Sequence, residues 1–243
     1  MQTVNTRKTW VVYFSFLELA HHLSDEDSWC PLCVDRTVDL KHIESGISQV
    51  MAVCVKLFFG SHTFDMRVGI QLVSEDNATR VRLYVDLKMF LQDGGAHKAV
   101  WGCKGDAGTR FCMLCKNLVS QKSGITEIDG TRRLICSLIH ESQMQFATDD
   151  EIHGAIRRLR GFKATASKAE FKLRQQAIGF TFQERGLLTD DELSGMDVVK
   201  PASQFCHDWM HGCFNQGIFN LILFLALAAV ARAKPKSDIW NKV

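Results

Sequence analysis

The sequence lacks most of the features that would place a chain quickly. It has no excess of one charge: 29 Lys and Arg stand against 27 Asp and Glu, a net +2. Composition alone therefore announces no nucleic-acid partner, and any basic surface must be local. It has no apolar run of about 20 residues, the length a membrane span needs. The longest, Ile218 to Ala231 (IFNLILFLALAAVA), has 14 residues, is interrupted by Asn220 and is followed by Arg232, Lys234 and Lys236, so a buried helix of a larger domain, or one whose packing partner is missing, is the better reading. The opening residues MQTVNTRKTWVVYFSF hold no apolar stretch with a small-residue cleavage site, which is read as an intracellular, reducing setting. Only three prolines occur, and no repeat or low-complexity linker divides the chain.

What is present is enough for a core: 243 residues, 46% hydrophobic, accommodate one large domain or two small ones. The cysteines number nine, an odd count, and Cys54, Cys136 and Cys213 stand alone in apolar runs. That pattern fits buried thiols plus a metal site better than a disulfide framework. Trp10 to Leu17 reads as a buried strand, and Leu40 to Phe59 as a helix with Asp39 as N-cap and Gly60 as stop. Arg67–Val73 and Arg80–Leu91 read as a hairpin, in which Val81, Leu83, Val85, Leu87 and Met89 form the buried face. Capping boxes at Thr148–Glu151 and Thr189–Glu192 start helices that end near Gly161 and Gly195. The expected fold class is α/β (α+β), with residues 1–100 an α/β unit and 101–243 a mostly helical one.

Four residue groups could carry chemistry. Cys112-Met-Leu-Cys115 is half of a zinc site, and His207 and His211, one helical turn apart, could complete it as Cys2His2. The 91 residues between the halves (207 − 115 − 1) leave the fold to join them; Cys206 is a possible substitute ligand. The second pair, Cys30 and Cys33, lacks further ligands nearby and reads as two ordinary thiols. Asp93, at a strand end beside Gly94 and Gly95, and Asp208 are the carboxylates best placed for divalent ions; the plainer reading makes Asp93 a turn residue and Asp208 a helix cap or a partner of a zinc-bound histidine. Arg157, Arg158, Arg160, Lys163, Lys168, Lys172 and Arg174, interleaved with Phe162 and Phe171, could follow a phosphate backbone, or could be a solvated face paired with acids such as Glu170.

Two motifs together resemble the CACTA (En/Spm-like) transposases and their dinoflagellate relatives. Asp93, Gly102, Gly108, Cys112 and Cys115 match the first, with Asp93 nineteen residues before Cys112 (112 − 93). His207-Asp208-Trp209-Met210-His211, followed by Asn215 and Asn220, matches the second. The resemblance spans about Thr6 to Asn220 and does not include Cys30 or Cys33.

It implies a partial RNase H-like core of the DDE type with a helical, zinc-stapled insertion. Two Asp and one Glu in such a core bind Mg²⁺ or Mn²⁺ for attack on a phosphodiester. Asp93 would be the second Asp, with the first acid expected upstream of Met1 and the last beyond Val243. With one ligand of three, the chain by itself is expected to be inactive. The implied partner is DNA, with no small-molecule substrate and no membrane, an oligomer being open; the implied location is the nucleus. Two other readings stay in play: a zinc-stabilised nucleic-acid-binding module without nuclease ancestry, and an interaction protein tethered to a membrane by Ile218–Ala231.

Overall fold

The computed structural model describes residues 9–60, 65–75, 79–120, 127–128, 131–132, 134–135, 140–208, 210–214 and 218–233. Strand β1 (Thr9–Phe14) pairs antiparallel with β2 (Cys30–Arg36). Trp10 and Val12 pack on the core while Val11 and Tyr13 face out, so the apolar run expected to be buried is covered on one face only. After the single turn α1 (Thr37–Leu40) comes the long helix α2 (Gly46–Phe59). The helix expected from Leu40 onward is broken at Gly46, whose φ of +53° is left-handed and cheap only for glycine. Asp39 thus lies inside α1, and Gly60 closes α2 as expected.

Strands β3 (Ile70–Val73) and β4 (Arg80–Leu83) form the hairpin, with Ile70 opposite Leu83. The chain then leaves the ladder: Val85 donates to the Met66 carbonyl at 3.0 Å. Leu83, Val85 and Leu87 pack on the core, whereas Val81 and Met89 are exposed. The expected turn residues Asp76 and Asn77 lie outside the described residues, as do Cys136, Trp209, Asn215 and the basic residues after Ala233.

Next come β5 (Phe90–Gln92) and α3 (Gly94–Trp101). Four two-residue strands follow: β6 (Leu118–Val119) runs parallel to β9 (Leu134–Ile135), and β7 (Glu127–Ile128) is antiparallel to β8 (Thr131–Arg132). The helical half comprises α4 (Asp149–Thr165), α5 (Lys168–Ile178) and α6 (Asp191–Met196), then β10 (Phe205–His207), a π-turn over Met210–Phe214 and α7 (Ile218–Ala233). Thr148 opens α4 with both bonds of a capping box. The second box is displaced by one residue. Asp190 caps α6, accepting from the Leu193 N–H at 3.1 Å, while the buried Thr189 hydroxyl turns inward to the carbonyls of Gln183 and Gly186. Gly161 and Gly195 lie within helices rather than ending them.

The chain is thus a mixed α+β fold. Every sheet of the described residues has two strands, and no larger RNase H-like sheet is among them. One cluster of buried side chains runs from Leu40 to Val199, with Trp101, Leu159, Phe180, Leu187 and Leu193 at its centre. Ser48 ties it together: its hydroxyl donates to the Val100 carbonyl at 2.6 Å and accepts from the Leu187 N–H at 2.9 Å. α7 stands apart, bonded to the π-turn through Asn220 and Phe214. No helix of the described residues is long and apolar enough to cross a membrane.

Candidate functional site

The parallel pair β5–β10 brings together residues more than a hundred positions apart: Phe90 opposite Phe205, Leu91 opposite Cys206, Gln92 opposite His207. Gln204 sets this register. Its side-chain amide is buried and donates to the carbonyls of Leu87 and Val198, both at 2.8 Å, while its own carbonyl accepts from the Phe90 N–H at 2.8 Å. Asp208 then donates its N–H to the Gln92 carbonyl at 2.8 Å, which closes the last rung, Gln92 opposite His207, with Asp93 and Asp208 following directly on it. Two aspartates therefore close neighbouring parallel strands at the same end.

Asp93 is also the N-cap of α3, its Oδ1 accepting from the Ala96 N–H at 2.6 Å. Gly94 leaves room for the His207 ring, whose Cε1 would lie 3.7 Å from a Cβ there. One turn on, His97 is only 3% exposed and is stacked between Phe205 (4.0 Å) and His207 (5.3 Å). Burial, helped by His207 and opposed by Asp93, pushes His97 down to about 4, so the ring is neutral at pH 7. Among the described residues neither ring nitrogen has a hydrogen-bond partner of good geometry, although the Cys206 backbone lies close enough to favour the protonated ring. The buried Gln92 Oε1 is likewise without a partner among them. Asp208 and His211 are 2.5 Å apart, Oδ2 to Nδ1.

His97 and Gln92 are the site residues that sequence reasoning missed. The clue was the four-residue step from Asp93 to His97, which places both on one side of a helix starting at Gly94.

The expected Cys2His2 quartet is not assembled. Cys112 and Cys115 lie in the loop before β6, held by a bridge from Cys115 to Phe146 and by the Ala147 N–H bonded to the Leu114 carbonyl at 2.7 Å. His207 is stacked on His97, and His211 is bonded to Asp208. Among the described residues no three His, Cys, Asp or Glu side chains converge to hold a metal. Spacing paired Cys112 with Cys115 correctly, but His207 ends β10 and His211 lies in the π-turn, so the two are not one helical turn apart; nor did spacing carry information about the distance between motifs.

The cysteine loop nonetheless has the chemistry of a thiolate cradle. A hydrogen bond from Cys115 and the backbone N–H groups of Leu114 and Cys115 outweigh burial and bring Cys112 down to about 6, while Cys115 is pushed up by sharing that charge. Cys103 is close enough for Cys112's charge to act on it, and burial pushes it up to about 11. Cys30 and Cys33 sit in β2, where the Cys33 thiol donates to Asp35 at 2.9 Å.

Three of the seven residues of the basic stretch serve local ties. Arg160 bonds Asp191 at 2.6 Å, Lys163 pairs with Glu184 and lies over Phe182, and Arg174 pairs with Glu170 while lying over Phe162. Arg157, Arg158, Lys168 and Lys172 have no ion-pair partner among the described residues.

No protein family, curated protein or solved structure matches the chain, so its function has to be read from these arrangements.

Proposed function

We propose that the chain is a transposase-derived, DNA-binding fragment whose β5–β10 edge is an incomplete divalent-metal site for DNA strand transfer. The observation that carries this reading is that Asp93 and Asp208 directly follow Gln92 and His207, the last paired residues of two adjacent parallel strands. Ligands gather outside the carboxyl ends of such strands, and metal-dependent phosphodiester chemistry draws its acids from separated chain segments. A carboxylate has about four lone-pair sites, so the cap at Asp93 leaves it able to accept more. Oxygen donors suit Mg²⁺ or Mn²⁺, and either ion would neutralise charge on a phosphodiester. Two carboxylates are too few for a two-metal centre, which agrees with an inactive chain. A nuclear location belongs to the same reading.

The test is Mn²⁺ binding followed by electron paramagnetic resonance. We expect weak binding, at about millimolar Mn²⁺, that is lost in both Asp93→Asn and Asp208→Asn. Unchanged binding in either variant rejects the paired site.

The second reading, a zinc-stabilised nucleic-acid-binding module, is favoured by the Cys112–Cys115 cradle. It requires about one zinc per chain, lost together with folding in Cys112→Ser/Cys115→Ser, since structural zinc contributes about 10–16 kcal/mol of apparent binding energy. A well-folded, zinc-free chain rules it out.

A further inference from the structure

We propose that the cavity between the Thr109–Lys116 loop and α4 is a phosphate pocket that seats one backbone phosphate of a DNA strand. The proposal rests on the DNA-binding reading above and gives it a location outside the acidic edge. The cavity, of about 150 Å³, is lined by Arg110, Lys116 and Arg158, with Glu151 its one acid and with Ala155 and Phe180 as apolar wall. That volume is below the range of about 300–1,000 Å³ usual for drug-sized ligands and suits a small ion. Lys116 and Glu151 pair at 2.7 Å, so the charge of the pocket is set by Arg158, which has no ion-pair partner among the described residues, with Arg110 also in its wall. Guanidinium is the group whose planar fork matches a phosphate.

The pocket is held by backbone. Thr109 donates to Gln176 at 3.0 Å and accepts from the Ser120 N–H at 2.8 Å. Gly108 and Gly179 let the chain close on Arg110: a Cβ at either would meet the Arg110 carbonyl oxygen, at 2.6 and 2.9 Å. Lys104 packs against the same loop, the Gly108 Cβ position lying 2.6 Å from its own Cβ. Burial first, and then the charge of Lys172, push Lys104 down, so Lys172 lies within electrostatic reach of it. Arg158, Arg110, Lys104 and Lys172 thus form a cationic strip from α4 across the loop to α5. A run of phosphates answers such a strip better than a single free ion does.

The experiment has two arms on the full chain, with Arg158→Ala as test variant and Arg80→Ala, at an exposed position of β4, as control. In the first, melting is compared in sodium phosphate and sodium chloride at equal ionic strength. We expect phosphate to raise Tm in the parent and in Arg80→Ala, but not in Arg158→Ala. In the second, a single-stranded oligonucleotide is titrated at several salt concentrations. We expect Arg158→Ala to weaken binding and to reduce the salt slope by roughly 0.7, the value of one phosphate contact on single strands. Oligonucleotide binding unchanged in Arg158→Ala overturns the pocket and leaves the DNA reading standing. A phosphate effect abolished by Arg158→Ala, with no oligonucleotide binding in the parent, overturns the strand as occupant and the DNA reading with it.

Discussion

Ser48 is fully enclosed and carries two hydrogen bonds, one to α3 and one to the segment at Leu187. Ser48→Ala strands a buried carbonyl and a buried N–H, so we expect a loss of about 1–3 kcal/mol in urea unfolding; a change within a few tenths would show that the bonds are replaced. His97 makes a prediction in pH. Its folded value of about 4 lies below the usual value of about 6.5, so between those limits the unfolded chain binds a proton that the folded chain refuses. Stability should therefore fall by up to about 3 kcal/mol as pH drops from about 6.5 to about 4. In His97→Phe that slope should flatten, and equal slopes in the two proteins would show that His97 does not titrate as described.

At the scale of elements, β10 is positioned from behind by Asp149, the first residue of α4. Its carboxylate accepts from the N–H groups of Ala202 and Ser203 at 2.7 and 3.0 Å and from the Ser203 hydroxyl at 2.5 Å. Burial alone would raise its pKa, but these bonds hold it below the ordinary carboxylate value. Its contribution is thus present above the usual carboxylate range and fades as pH falls through the lowered value, a more acidic window than that of His97. Asp149→Ala should cost about 1.5–3 kcal/mol at pH 7 and loosen amide protection in Phe205–His207, readable by hydrogen exchange.

Local chemistry of this kind was legible in the sequence. The Thr148 box, the hairpin and the body of α2 follow from capping and periodicity. The break at Gly46 and the shift from Thr189 to Asp190 were not legible. The first depends on a left-handed backbone angle, and the second on a hydroxyl finding a better buried acceptor than its own helix.

Among the described residues there is one buried core, and α7 lies outside it. Ile218, Phe219, Leu221, Ile222, Phe224 and Leu225 of α7 are each at least half exposed, a continuous apolar surface of the kind that drives association. Removing residues 218–243 should leave the melting temperature of the remainder within a degree or two, because among the described residues α7 is bonded to the π-turn and not to the core, and should lower dye binding and aggregation. A large drop in Tm would mean that α7 packs on the core after all. Apolar content announced this helix plainly, but pattern alone could not say whether anything covers it. The same holds for Cys112, Cys115, His207 and His211: the motifs are visible in the sequence, and the contacts between them are a property of the fold.

The parallel pairing of β5 with β10 also has a temporal side. It closes a loop of more than a hundred residues, whose entropy must be lost before three short rungs can return anything. The acidic edge is therefore expected to form late in folding, after α2, α3 and α4 have packed. Damage far from it, at Ser48 or Leu159, would then weaken the metal binding proposed for that edge by leaving the two aspartates on strands that have not met.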